Sequence, residues 1–221
     1  MLFRSITSRA APGSVLAQSI VSGTMLESIA RSAGLSYRRT LTGFKWIGRI
    51  PDLRFGYEEA LGYCVDPQAV GDKDGITAAL ALATIAGEAK AAQRSVQDLV
   101  DDLDREHGVH ATRQVSVRVA QVADIQRIMR HIRDTPPSSV GGVDVHQVVD
   151  LLSEGDLPPT DGIVFQLAGR TRIIVRPSGT EPKVKAYLQV VHEVDESLTS
   201  ARTEAEQRLS ELEDAVREWF A

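Results

Sequence analysis

The sequence has little cysteine and no long apolar run. Cys64 is the only cysteine among 221 residues, so an intrachain disulfide and a cysteine-based metal cluster are both excluded. This favours a reducing compartment, and we expect a cytoplasmic protein. No apolar stretch approaches the roughly 20 residues that cross a membrane. Residues 1–13 lack the apolar centre of a targeting segment, and we expect an irregular start there.

An excess of positive charge is also lacking. Lys and Arg number 25 against 30 Asp and Glu, which gives a net charge of −5 and argues against general nucleic-acid binding. A small anionic ligand would therefore need a local basic pocket. The composition, 43% apolar and 25% charged, is that of an ordinary globular protein. The length suits one large domain or two domains of about 100 residues each.

Residues 14–108 show the alternation of strands and helices that is typical of an α/β domain. Asp74 precedes an alanine-rich helix, and the spacing of Ser95 and Asp98 predicts a capping box at the start of another. Gly108 ends that helix. The predicted strands cover 15–21, 37–41 and 53–57, with a loop over 42–46, and the predicted helices cover 25–32, 75–91 and 95–108.

Residues 109–221 show a different pattern, which predicts an α+β domain. A half-buried strand over 115–119 precedes a helix over 122–133, and a hairpin turns at Ala168-Gly169. Apolar residues from Leu198 to Trp219 at helical spacing predict a long terminal helix that packs on a sheet, with coiled-coil pairing as the alternative. Between the two domains, residues 108–114 are expected to form a hinge.

A short loop over residues 176–185 joins two further strand-like runs, 171–175 and 184–191. It combines cations, hydroxyl groups and a glycine, which together offer a guanidinium fork, hydroxyls and free backbone N–H groups to one anion. The alternative is a solvated turn whose charges are incidental, but the density of donors favours a phosphate site. The candidate ligands are Arg176, Ser178, Gly179, Thr180 and Lys183.

This loop, extended to Tyr187, resembles the phosphate-binding signature of the α-D-phosphohexomutases, the family of phosphoglucomutases and phosphomannomutases. The resemblance implies that the loop belongs to the last of four domains. There it would hold the phosphate of a hexose phosphate that is not being transferred. Closure of that domain over the substrate is also implied by the resemblance.

Three other stretches resemble the third domain of the same family: residues 41–47, 56–63 and 71–76. The resemblance implies that the first distinguishes sugar orientations, that the second binds sugar hydroxyls and that the third brings a lysine close to the reacting phosphate. Ala60 and Gly71 replace a common Ser and a common Arg, which removes one hydroxyl and one cation. The implied site residues are Thr42, Gly43, Glu58, Glu59 and Lys73.

Each of these residues also has a simpler interpretation. A carboxylate such as Glu58 accepts hydrogen bonds from two vicinal sugar hydroxyls, but it is also an ordinary solvated glutamate at the end of a strand. Lys73 could simply offset Asp72 and Asp74, and Asp74 is better suited to capping a helix than to acid catalysis. The five histidines show no metal-ligand spacing. The four motifs occur in the same order as in the family, and this favours the functional interpretation.

Two loops of the family are absent from the sequence: the Ser-His-Asn-Pro-like phosphoserine loop and the Asp-Gly-Asp-x-Asp-Arg loop that binds Mg²⁺. The resemblance therefore covers residues 14–221, as a third-domain-like α/β sandwich followed by a fourth-domain-like sheet packed by helices. It implies the carboxyl-terminal part of an isomerase that transfers phosphate between C1 and C6, with a glucose 1,6-bisphosphate-type activator.

We expect this chain to bind a hexose phosphate but to be inactive without the missing N-terminal domains. It should contain no metal ligands, and neither nucleic acid nor membrane should be a partner. The alternatives are a non-catalytic sugar-phosphate-binding protein and a truncated gene product.

Overall fold

A computed structural model describes residues 11, 13–179 and 181–220. The chain divides into two compact units, Met1–Gly108 and Val109–Ala221, called unit 1 and unit 2 below. The predicted order of an α/β domain followed by an α+β domain is confirmed. Most of the expected irregular start lies outside the described residues. Among the described residues, no helix combines the length and apolar character needed to span a bilayer.

Unit 1 contains a four-stranded sheet in the order β2-β1-β3-β4, in which the first three strands are parallel and β4 is antiparallel to β3. Its elements are β1 (Val15–Ser19), α1 (Met25–Ser32), β2 (Ser36–Thr40), α2 (Phe44–Ile47), β3 (Leu53–Glu58), β4 (Gly62–Cys64), α3 (Gly75–Ala91) and α4 (Val96–His107).

Helices pack on both faces of this sheet. Leu16 faces a cluster that includes Phe55 and residues of α1 and α3, whereas the next residue, Ala17, faces Phe44 and Ile47 of α2. This follows from the two-residue period of a strand. The chain therefore leaves β1 and β2 toward opposite faces. In α/β proteins with this arrangement, ligands bind outside the carboxyl ends of the strands.

Unit 2 contains a six-stranded antiparallel sheet in the order β5-β10-β9-β8-β7-β6. Its elements are β5 (Val109–Arg118), α5 (Val122–Asp134), β6 (Ser139–Val140), β7 (Val143–Asp150), β8 (Ile163–Leu167), β9 (Thr171–Pro177), β10 (Lys183–His192) and α6 (Leu198–Glu218).

Both helices of unit 2 pack into one core on a single face of the sheet. Phe165 and Ile173 contribute from the strands, Met129 from α5, and Leu209 and Leu212 from α6. The predicted packing of the terminal helix on a sheet is thus confirmed, and the coiled-coil alternative is wrong.

Ion pairs fix both helices to this sheet. Arg113 of β5 pairs with Glu206 and Glu213 of α6. Arg133 of α5 pairs with Asp150 and Asp161.

The expected hinge over 108–114 stays a prediction, and the boundary between the two units lies at its start, after Gly108. β5 begins at Val109, which pairs with His192, and it continues without a break through 114. Cross-strand pairing with β10 determines this start, because residues 110–114 show no clear alternation of their own. Only Gly108, with a φ of +86°, separates α4 from β5. The predicted loop over 42–46 is corrected, since Phe44–Ile47 form one helical turn.

Candidate sugar-phosphate-binding residues

The phosphate-loop candidates lie on the hairpin between β9 and β10. The backbone N–H of Ser178 donates to the carbonyl oxygen of Lys183 at 2.8 Å, which closes the hairpin. Gly179 is exposed, and a side chain added there would meet nothing within 4 Å. Thr180 lies outside the described residues. The space around Gly179 is therefore open, and Ser178 before it is half-buried.

Two cations lie directly opposite each other on this hairpin. Arg176 of β9 pairs in register with Lys185 of β10. Their neighbours Val175, Val184 and Ala186 are buried in the helix-covered core, so the two cations lie on the other face of the sheet. Like charges opposite each other are destabilising, and within the described part of the chain neither cation forms an ion pair. A bound anion would relieve this repulsion.

Unlike Arg176, Lys183 forms an ion pair. Its Nζ lies 2.9 Å from Glu181 Oε2, and Arg118 Nη2 lies 3.2 Å from Glu181 Oε1. The hydrogen bond and charge of Lys183, followed by the charges of Arg118 and Lys185, lower the pKa of Glu181. Glu181 is therefore a carboxylate counter-ion inside the predicted phosphate loop. Arg118, which pairs in register with Lys183, was missed by the sequence reasoning, although it lies within the predicted strand 115–119.

In unit 1 the structure brings Glu58 to the start of α2. The backbone N–H of Gly43 donates to Glu58 Oε1 at 2.6 Å. Gly43 has a φ of +112°, a conformation that favours glycine, and this turn directs the N–H toward the carboxylate. Thr42, half-buried, precedes it. Two of the predicted stretches, 41–47 and 56–63, thus meet at the carboxyl end of β3.

Lys73 lies close to the same place. Its Nζ is 5.9 Å from the centre of the Phe44 ring, within cation–π range, and Phe44 is the first residue of α2. A methyl group on Gly48 would overlap the carbonyl oxygen of Gly71, so the loop that carries Lys73 packs directly against the end of α2.

Asp74 caps α3, as predicted. Its carboxylate accepts from the N–H groups of Ile76 at 3.1 Å and Thr77 at 3.0 Å. Interactions with Thr77 and with the backbone N–H of Ile76 lower its pKa. This cap fixes the end of the loop that carries Lys73.

Glu59 has different hydrogen-bond partners from its neighbour Glu58. Its Oε2 accepts from Ser22 Oγ at 2.7 Å and from Ser19 Oγ at 3.3 Å, and both serines are fully buried. The nearby Gln18 Nε2 donates to the carbonyl of Gly23 at 2.9 Å. Glu59 therefore joins the loop after β3 to the turn after β1, a role that the sequence did not indicate because its partners lie about 40 residues away.

No cluster of three or more His, Cys, Asp or Glu side chains capable of holding a metal ion occurs in the described residues. The single thiol is not a reactive group either. Burial, assisted by the charges of Asp66, Asp72 and Asp74, raises the pKa of Cys64 to about 11, so the thiol is protonated at neutral pH.

Family models match the chain in two parts. The model for the α/β/α domain III of phosphoglucomutase/phosphomannomutase matches residues 1–106. The model for the C-terminal domain of the same enzymes matches residues 88–207. The chain belongs to the phosphoglucomutase/phosphomannomutase family.

Curated members of the phosphoglucomutase/phosphomannomutase family match most of this chain. It is 38% identical over 202 residues to a protein from Haemophilus influenzae named "probable phosphomannomutase", covering 91% of this chain and 40% of that protein. It is 29% identical to a Staphylococcus aureus phosphoglucomutase, covering 80% of this chain and 36% of that protein. The chain thus spans about two fifths of the length of these relatives.

Solved structures of phosphoglucomutase/phosphomannomutase family members share this fold. The Paramecium phosphoglucomutase pp63/parafusin superimposes with a TM-score of 0.68 at 20% identity, covering 98% of this chain and 41% of that one. A family protein from Burkholderia thailandensis gives a TM-score of 0.60 at 14% identity, covering 99% and 39%.

Proposed function

We propose that this chain is the substrate-recognition part of a phosphohexomutase and that it binds a hexose phosphate without transferring the phosphate. The observation that carries the proposal is the pairing of Arg176 with Lys185. Two cations opposite each other, with no ion-pair partner within the described residues, suit a divalent anion such as a phosphate monoester.

In this proposal Arg176 donates the main charge-assisted hydrogen bonds, and Lys185 adds a second positive charge. The hydroxyl of Ser178, which has no hydrogen-bond partner among the described residues, adds a further donor. Lys183 reaches the phosphate only by leaving Glu181, its partner at 2.9 Å. Glu181 therefore competes with the ligand.

The sugar hydroxyls are assigned to Glu58 of unit 1. One of its oxygens is held by the N–H of Gly43, which orients the carboxylate, and the other is available to hydroxyl groups. Glu59 is assigned a positioning role because Ser19 and Ser22 already donate to it. The ammonium of Lys73 is assigned to a phosphoryl group of the ligand. It lies near the start of α2, and Lys73 forms no ion pair among the described residues.

Calorimetric titration with glucose 6-phosphate tests the phosphate site. Arg176→Ala should weaken binding by about 1.5–3 kcal/mol, the contribution of a hydrogen bond to a charged group, and Arg176→Lys should be intermediate because the fork is lost but the charge is kept. Glu181→Gln should tighten binding. Arg208→Ala, which removes a surface arginine from α6, is the matched control. Unchanged affinity in Arg176→Ala would refute this assignment.

We propose further that the chain alone has no mutase activity. Transfer requires a phosphorylated nucleophile and Mg²⁺, and the sequence contains neither family loop. The described residues do not fit a metal site, so the proposal gives this chain no metal-binding role. A coupled dehydrogenase assay with glucose 1-phosphate, Mg²⁺ and glucose 1,6-bisphosphate should give no turnover above background, and turnover by the pure chain would contradict the proposal.

A further inference from the structure

A second pair of cations lies beside Arg176 and Lys185 in unit 2. Arg118 of β5 pairs in register with Lys183 of β10, just as Lys185 of β10 pairs with Arg176 of β9. Val117, which precedes Arg118, packs against the helix-covered core. Because successive side chains of a strand point to opposite faces of the sheet, Arg118 and Lys183 lie on the same face as the first pair, away from the helices.

The carboxylate of Glu181 bridges this second pair. Its Oε1 lies 3.2 Å from Arg118 Nη2, and its Oε2 lies 2.9 Å from Lys183 Nζ. Two cations thus hold two oxygens of one anionic group, as they would hold a phosphoryl group. The side chains of Arg118 and Glu181 are exposed, and exposed ion pairs contribute little free energy. A phosphoryl group, with about twice the charge of a carboxylate, can therefore replace Glu181 between the two cations.

Backbone hydrogen bonds hold the two cation pairs close together. The N–H of Val119 donates to the carbonyl oxygen of Pro182 at 3.0 Å, which fixes the end of β5 against the hairpin between β9 and β10. The four cations therefore lie on three neighbouring strands, which are spaced about 4.8 Å apart. The charge of Lys185 also lowers the pKa of Glu181, so the first pair acts on the position that the Glu181 carboxylate occupies.

The charge of this group of side chains exceeds what one phosphate balances. Four cations and the Glu181 carboxylate leave a net charge of +3, whereas a phosphate monoester brings about two negative charges at neutral pH. We propose that Arg118 and Lys183 form a second anion subsite and that unit 2 binds a diphosphate, with one phosphoryl group on each cation pair. The inference rests on the proposed function, because the first phosphoryl group uses the Arg176–Lys185 pair.

Calorimetric titration of the chain with inorganic pyrophosphate and with inorganic phosphate, both in the presence of EDTA, tests the second subsite. Pyrophosphate should bind about tenfold more tightly than phosphate, and Arg118→Ala should remove this difference, the effect of one hydrogen bond to a charged group. The same variant should leave phosphate binding nearly unchanged. Glu181→Gln should tighten pyrophosphate binding, because the competing charge is removed. Arg127→Ala, which removes a surface arginine that pairs with Asp124 on α5, is the matched control and should bind both anions like wild type.

The two anions separate this inference from the proposed function. If the wild-type chain binds pyrophosphate no more tightly than phosphate, the second subsite is overturned and the phosphate site stands. If it binds neither anion, both proposals are overturned. The second subsite is also overturned if Arg118→Ala binds pyrophosphate as tightly as wild type, or if it weakens both anions equally, because Arg118 would then act only through general charge. Circular dichroism checks folding, which we expect to be preserved because Arg118 is exposed.

Discussion

Unit 2 buries the apolar sides of both its helices in one core, whereas unit 1 leaves an apolar helix partly uncovered. In unit 2, α6 presents Ala205, Leu209 and Leu212 to the sheet and charged residues to water. In unit 1, the core is divided between the two faces of a small sheet, and α3 retains Ile76 and Leu80 at the surface.

This difference separates a unit whose helices are covered by its own sheet from a unit that leaves apolar side chains of one helix exposed. The β9–β10 hairpin, the proposed phosphate site, lies on unit 2, where Val175 and Val184 are fully buried. The residues proposed to bind the sugar lie on unit 1, where Glu58, Gly43 and Lys73 lie around the single helical turn α2. We therefore expect the two units to respond differently to the same kind of substitution.

The largest difference in stability is expected when one leucine in a long helix of each unit is replaced by alanine. Leu212→Ala should destabilise unit 2 by about 2–5 kcal/mol, because Leu212 is fully buried and its truncation leaves a cavity. Leu80→Ala should change the stability of unit 1 by less than about 0.5 kcal/mol, as is usual for exposed positions. The chain has two tryptophans, Trp46 in unit 1 and Trp219 in unit 2, so single-tryptophan variants report each unit during urea unfolding.

Trp219 is a suitable reporter because its ring lies 5.2 Å from that of Phe165 in the core of unit 2. Equal losses of unfolding free energy from Leu212→Ala and Leu80→Ala would contradict the expected difference between the units, since they would mean that α3 is as well packed as α6. Trp46→Phe and Trp219→Phe backgrounds without further substitution provide the baseline.

The regular elements could be predicted from the sequence where caps and periodicity agree. Helix α1 occupies the predicted residues 25–32, and α3 lies between the predicted Asp74 cap and residue 91. The Ser95–Asp98 capping box is present. These signals are local, because a cap satisfies backbone groups a few residues away.

Elements that depend on distant partners were not predictable. The one-turn helix α2 is too short for a periodic signal and is held by packing against β3 and Gly71. The start of β5 is defined by β10, and β7 has a weak apolar pattern interrupted by His146 and Gln147. For the candidate site, the loops were identified by resemblance. The hydrogen bonds of Glu59 and the ion pair between Glu181 and Lys183 could be recognised only from the three-dimensional structure.

An intermediate effect, confined to unit 1, is expected at Gly48. Gly48→Ala should destabilise unit 1 by about 1–3 kcal/mol, the range for an overpacked site, because the methyl group overlaps the backbone oxygen of Gly71. Unit 2 should be unaffected. Urea unfolding followed by Trp46 fluorescence in the Trp219→Phe background measures the loss.

Gly87→Ala is the matched control for this substitution. Gly87 lies inside α3, and an added methyl group would meet nothing within 4 Å, so alanine should stabilise the helix by about 0.5–1 kcal/mol. If both substitutions destabilise unit 1 equally, the close contact between Gly48 and Gly71 does not hold the loop that carries Lys73.

The smallest expected effect is a loss of the stability of unit 2 at acid pH. Hydrogen bonds from Arg113 and Arg217, together with their charges, lower the pKa of Glu213 from its ordinary value of 4.5. The folded state therefore binds this proton less readily than the unfolded state. The stabilisation is present in full above about pH 4.5 and is lost as the pH falls through the lower pKa of the folded state. Glu213→Gln should destabilise unit 2 at pH 7 by about 1 kcal/mol, since the side chain is only 17% exposed and its two arginine partners are partly solvated.

Thermal unfolding of unit 2, followed by Trp219 between pH 3 and pH 7, measures this contribution. The wild-type and Glu213→Gln curves should be separated at pH 7 and should converge at the acid end, because protonation removes from the wild type what the substitution removes at every pH. Glu218→Gln, at an exposed position of the same helix, should follow the wild type throughout. Curves that stay equally separated down to pH 3 would mean that Glu213 acts through packing. The attachment of α6 to β5 would then depend on the apolar core alone, and the charged pairs would add only solubility.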